Sequence, residues 1–153
     1  MTPSKERIFI ALGSNIEPRL EFIEKAIVEI QDFAELVNSS SIIETEPMGF
    51  EAETNFLNAV VEIKTDLNPR TLLLKLQEIE KKLGRKVKSQ NKNYKSRTID
   101  LDILYYGKQI IVSPELTIPH PEIFNRDFVL IPLREIAGDF LDPLRMKSLN
   151  SEA

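Results

Sequence analysis

The order in which strand-like and helix-like periods alternate constrains this chain more than any other feature. Residues 8–12 form a short apolar run that ends at Gly13-Ser14-Asn15, which predicts a buried strand entering a turn. Leu20, Ile23, Ile27, Ile30 and Ala34 then share one helical face, and Pro18 suits the first turn of that helix. Residues 36–45 predict a second strand, ended by Glu46-Pro47-Met48-Gly49, with loop over 50–55. Residues 56–65 are rich in β-branched side chains and predict a third strand. Asn68 and Pro69 open a second helix as cap and first residue. Leu72, Leu76, Ile79 and Leu83 mark its apolar face, and Gly84 closes it. Residues 99–106 predict a fourth strand, with a turn at Gly107-Lys108. From residue 110 on, short apolar runs and five prolines predict a short strand and small helices. The order β-α-β-β-α-β is the split βαβ, ferredoxin-like arrangement of an α+β protein. It places both helices on one face of a mainly antiparallel sheet and leaves the other face for a site.

A chain of 153 residues suits one domain, 1–153, and no internal repeat or linker interrupts it. Hydrophobic residues make up 42% and charged residues 29%, a balance that packs a core. With no cysteine, disulfides, thiolate metal sites and cysteine nucleophiles are excluded. One histidine, His120, excludes a multi-histidine metal site. The net charge of −4 argues against a general nucleic-acid or membrane-surface binder. Residues 8–12 are too short for a signal-peptide core, and no run approaches the roughly 20 apolar residues of a membrane span. A soluble, cytoplasmic monomer is the expectation.

Alternation along a strand sorts side chains between faces. Leu57, Ala59, Val61 and Ile63 share one face of the third strand, and Phe56, Asn58, Val60 and Glu62 the other. In the fourth strand Ile99, Leu101, Ile103 and Tyr105 oppose Asp100, Asp102, Leu104 and Tyr106. With the apolar faces against the helices, Phe56, Asn58, Asp100 and Asp102 meet on the uncovered side. Two carboxylates with Cα atoms roughly 6.5–7 Å apart are either a solvated pair or a seat for a hard cation such as magnesium. Arg85, Lys86, Lys88, Lys92, Lys95 and Arg97 lie in a stretch with no acidic residue. That stretch is either a solvated loop or a counter-charge for phosphates beside the carboxylates. His120, between two prolines, suits a structural or a functional role. Neither a Walker A sequence nor Gly-x-Gly-x-x-Gly is present.

Several segments together carry a resemblance. They are Ala11-Leu12-Gly13-Ser14-Asn15, Thr45-Glu46-Pro47-Met48-Gly49, Phe56-Leu57-Asn58-Ala59, and Ile79-Glu80 with Gly84-Arg85. There follow Arg97-Thr98-Ile99-Asp100-Leu101-Asp102-Ile103, Leu116-Thr117-Ile118-Pro119-His120-Pro121 and Asn125-Arg126-Asp127-Phe128. In this order, over roughly residues 8–143, the chain resembles the 6-hydroxymethyl-7,8-dihydropterin pyrophosphokinase family. The resemblance implies transfer of pyrophosphate from ATP to the hydroxymethyl group of the dihydropterin, with release of AMP, in folate synthesis. It implies two magnesium ions on Asp100 and Asp102, and catalytic-loop roles for Arg85 and Arg97. Gln77, Glu80, Arg97, Ile103, Thr117, His120 and Arg126 match nucleotide-binding positions. Thr45, Met48, Phe56, Asn58 and Phe128 match pterin-binding positions, the two phenylalanines as a sandwich and Asn58 as the amide partner. Phe56 stands where tyrosine is common, and Tyr94 where some members have tryptophan. Glu115 and Pro121 stand where some members contact ATP through arginine and tyrosine.

Two other function classes share the element order. An RNA-binding module of this fold expects Lys/Arg-Gly-Phe/Tyr-Gly/Ala-Phe-Val on a strand, whereas this chain has Phe-Leu-Asn-Ala-Val-Val-Glu-Ile. A regulatory ligand-binding domain is the other, and fold alone does not separate it.

Overall fold

β1 (Ile8–Ser14) is buried along all seven residues; strands flank it on both sides, and it contributes side chains to a hydrophobic core on each face. The computed structural model describes residues 6–45, 55–85 (Arg85 by its backbone alone) and 98–151. After β1 come α1 (Arg19–Ile30), β2 (Glu35–Ser39), β3 (Ile43–Thr45), β4 (Phe56–Lys64), α2 (Pro69–Glu80) and β5 (Asp100–Tyr106). The strand order is β2-β4-β1-β5, with β3 also paired to β4, and every pairing is antiparallel. The expected second strand is thus present as two pieces. Ser40 breaks it, its hydroxyl accepting the Val60 N–H at 2.9 Å, and three residues, 40–42, then stand opposite Ala59 and Val60.

Asn68 caps α2 as expected, its side chain accepting the Thr71 N–H at 2.9 Å, with Pro69 first in the helix. Beyond α2 the turn Lys81–Arg85 carries Gly84 at φ 131, a conformation that suits glycine. A Cβ there would stand 3.1 Å from Thr98 Cγ2, so the two ends of the basic segment touch.

α1 and α2 cover one face of the sheet. Ile23, Ala26 and Ile30 of α1 and Leu72, Leu76 and Ile79 of α2 pack on Ile8, Ile10, Leu12, Val61, Ile63, Leu101 and Ile103. The other face is not left free. The chain continues through the hairpin β6 (Ile111–Val112) and β7 (Thr117–Ile118) into α3 (Asp127–Ala137) and a second small hairpin, β8 (Leu141–Asp142) and β9 (Lys147–Ser148). Val129, Leu130, Leu133 and Ala137 of α3, with Phe140, pack on Phe9, Ala11, Val60, Leu104 and Tyr105. The expectation of helices on one face only is therefore corrected. Pro132 lies inside α3 and is buried, so it forgoes one helical hydrogen bond while its ring packs.

A second correction concerns β5. The register with β1 shifts where Phe9 faces Tyr105 and Ile10 faces Ile103, leaving Leu104 as the extra residue of a bulge. Past it the faces exchange. Tyr106 joins the α1/α2 core, and Tyr105 points to the α3 side, where its hydroxyl donates to Asp142.

Candidate active site

The α3 layer covers the sheet around Phe9 and Ala11. It leaves the end that holds Gly13, Asn58 and Asp100 for a site. There the register sets Asn58, Gly13 and Asp100 in one row across β4, β1 and β5. The next row is Val60, Ala11 and Asp102. With neighbouring strands roughly 5 Å apart, the Asn58 and Asp100 Cα atoms stand about 10 Å apart with Gly13 between them, and Ala11 holds the matching place in the next row. Sequence reading ended the strand at Leu12 and put Gly13 in a turn and in a matched segment, whereas β1 runs on to Ser14 and Gly13 lies inside it. A Cβ on it would stand 3.1 Å from Asn58 Oδ1 and 3.7 Å from Phe56 Cδ1, so its hydrogen keeps the floor open under both.

Asn58 is buried, and its Nδ2 donates to Thr45 Oγ1 at 2.8 Å. Thr45 pairs with Phe56 across the β3/β4 ladder, so Thr45, Phe56 and Asn58 share the site face. Phe128 lies in the first turn of α3, half-buried against its core, with the Arg126 guanidinium carbon 5.8 Å from its ring centroid.

Asp100 and Asp102 are half-buried on the site face, and Leu101 between them turns into the α1/α2 core. The outer edge of β5 is fixed from two directions. The buried Glu80, from the end of α2, accepts the Leu101 N–H at 2.8 Å, and His120 donates its backbone N–H to Leu104 O at 3.0 Å. By alternation the backbone of Ile103 also faces that edge. Its side chain is in the core, so Ile103 offers a ligand only main-chain groups. Thr117, in β7, lies half-buried on the same side, and Gln77 is exposed on α2.

His120 Nδ1 accepts the Glu122 N–H at 3.1 Å, so in the neutral ring the proton sits on Nε2. Burial lowers the His120 pKa, and the Arg126 charge lowers it further; Glu122 and Asp100 pull the other way. The imidazole is thus held neutral, within electrostatic reach of both Arg126 and Asp100.

Among the described residues no cluster of three or more histidine, aspartate or glutamate side chains could hold a metal. Two carboxylates alone do not make a structural zinc cage. They do fit a hard cation that takes its remaining oxygens from phosphates. Met48 and Arg97 lie outside the described residues, as does the side chain of Arg85. A separate groove of about 500 Å³, lined in part by Arg7, Gly107 and Phe140, opens at the far end of the sheet and holds none of the expected site residues. Among the described residues no helix is long and apolar enough to cross a membrane.

Fold and site together define an antiparallel α+β protein with an acidic pair, an amide and a neutral imidazole at one end of its sheet. A solved structure of Plasmodium falciparum HPPK-DHPS shares this fold over 97% of the chain, with a TM-score of 0.75 at 14% identity. The chain spans 45% of that longer protein. Residues 9–138 match the family described as 7,8-dihydro-6-hydroxymethylpterin-pyrophosphokinase (HPPK). Pyrophosphokinases acting on 2-amino-4-hydroxy-6-hydroxymethyldihydropteridine are similar throughout. That of Aquifex aeolicus is 39% identical over 142 residues, covering 93% of this chain and 87% of its own. That of Haemophilus influenzae is 42% identical over 137 residues, covering 88% and 84%. The chain belongs to the HPPK family, and its activity is that of a pyrophosphokinase of folate biosynthesis.

Proposed function

We propose that the chain, as one ferredoxin-like domain, transfers pyrophosphate from ATP to the hydroxymethyl group of 6-hydroxymethyl-7,8-dihydropterin and releases AMP. The observation that carries this reading is the shared face of Asn58, Gly13 and Asp100, a pterin-sized strip with an amide at one end and a carboxylate pair at the other. The substrate hydroxyl oxygen bonds to the β-phosphorus, the bond from that phosphorus to the α–β bridging oxygen breaks, and the hydroxyl proton is lost to solvent.

Asn58, oriented by Thr45, hydrogen-bonds the pterin edge, while Phe56 and Phe128 stack on its ring and Met48 meets it through the backbone. Asp100 and Asp102 would hold two magnesium ions. When bound, magnesium neutralises phosphate charge and makes the β-phosphorus more electrophilic. His120 donates from Nε2 and Arg126 from its guanidinium to the triphosphate. Thr117, Gln77 and the main chain of Ile103 line the nucleotide side, where Glu80 shapes the β5 edge. Arg85 and Arg97, taken over from the family resemblance, stabilise charge on the transferring group. Positioning and charge neutralisation supply the catalysis.

Asp100→Ala and Asp102→Ala test the assignment. Each is expected to keep a thermal midpoint within a few degrees of the parent and to lose about 1,000-fold in kcat. Near-parental turnover in either variant contradicts the carboxylate role.

A further inference from the structure

Arg19, the first residue of α1, makes contacts that the reaction scheme does not use. Its side chain is only 17% exposed, although it begins a surface helix. Nε donates to Glu17 Oε2 at 2.8 Å, while one Nη1 donates to Glu44 Oε2 at 2.8 Å and to the Asn55 carbonyl at 2.9 Å. Glu17 is in turn fixed by the Arg19 backbone N–H at 3.1 Å. One guanidinium therefore ties three separate points of the chain.

Two of those points flank the proposed pterin floor. Glu44 precedes Thr45, and Asn55 precedes Phe56; Thr45 and Phe56 are paired partners at the end of the β3/β4 ladder. Glu44 pairs with Leu57, and Leu57 packs in the α1/α2 core. Glu44 therefore points to the face opposite Thr45, Phe56 and Asn58. Arg19 grips the ladder from behind, where it touches no substrate. β3 has only three residues, so its own hydrogen bonds fix it weakly. The planar guanidinium, anchored through Nε on Glu17, aims the one Nη1 that meets both Glu44 and Asn55, an orientation that the freely rotating ammonium of lysine does not fix.

We infer that Arg19 is a positioning residue for the pterin: it sets the spacing of Thr45, Phe56 and Asn58 by clamping Glu44 and Asn55. The inference rests on the pterin reading of that face. Ion pairs this close to solvent contribute little to stability, so the effect belongs in substrate recognition.

Steady-state kinetics with each substrate varied separately test it, on Arg19→Ala, Arg19→Lys and Asn58→Ala. Arg19→Ala is expected to raise KM for the dihydropterin about tenfold, with KM for ATP within about twofold of the parent. Arg19→Lys, which keeps the charge but not the planar guanidinium, is expected to recover only part of the loss. A uniform fall in active protein, with both KM values unchanged, marks a merely structural role and overturns the inference. If Asn58→Ala raises pterin KM and Arg19→Ala does not, the inference fails while the pterin site stands. If Asn58→Ala leaves pterin KM unchanged, the pterin site itself fails and the inference with it. Should Arg19→Ala not fold, Glu44→Gln, which weakens one arm of the clamp, carries the same expectation in the same direction.

Discussion

His120 is held at two points, its backbone N–H on Leu104 and its Nδ1 on the Glu122 N–H. Burial and Arg126 depress its pKa below the ordinary 6.5. An unfolded chain takes up that proton near pH 6.5, whereas the folded chain does so only at lower pH. Stability tied to this group is therefore full above pH 6.5 and is lost as pH falls through that value toward the depressed one. In His120→Gln the drop in thermal midpoint between pH 7.5 and pH 5 is expected to be smaller than in the parent. An equal or larger drop contradicts the depressed pKa. A triphosphate beside the ring offsets the Arg126 charge, so nucleotide binding near pH 6 is expected to take up a proton. The residue scale also limits what a motif match means: Ile103 matches a nucleotide position, yet its side chain is spent on the core.

At the scale of elements, the acidic strand depends on a helix. Glu80 of α2 accepts the N–H of Leu101, the residue between the two aspartates, at 2.8 Å. Glu80→Ala leaves that buried N–H without this acceptor, a change expected to cost about 1–3 kcal/mol. It is also expected to raise the magnesium concentration for half-maximal rate several-fold, with Glu80→Gln closer to the parent because its amide oxygen still accepts. An unchanged magnesium dependence in Glu80→Ala shows that the bond does not position the pair. Most elements were legible beforehand. Asn68 and Pro69 announced α2, and simple alternation put Asn58 and Asp100 on one face. Two things were not. The bulge at Leu104 has no local signature, because it arises from how β1 and β5 fit against two different cores, and it reversed Tyr105 and Tyr106. The proline-rich stretch from residue 110 on predicted only small helices, but tertiary burial of the Pro132 ring and of Val129 and Leu133 holds the 11-residue α3 together. The candidate site was legible as a set of residues on strand faces. Gly13 and Arg19 were not, since one acts by having no side chain and the other from behind the sheet.

On the scale of the whole molecule, one sheet carries two cores. α1 and α2 pack on one face, and α3 with Phe140 packs on the other around Phe9 and Ala11. Beyond that core lies the end where β1 carries Gly13 and where the amide and the carboxylates lie. In the proposed reaction an acidic molecule of net charge −4 needs local cations there for ATP, and Arg126 is the one that the described residues place near His120. Both ends of this strip are expected to act in one reaction. The most direct measurement is AMP formation by the purified chain with ATP, 6-hydroxymethyl-7,8-dihydropterin and magnesium, each omitted in turn. AMP is expected in one-to-one yield with the pterin pyrophosphate, and to fall to background when either the pterin or magnesium is left out. AMP that forms without the pterin, or ADP as the nucleotide product, contradicts the account.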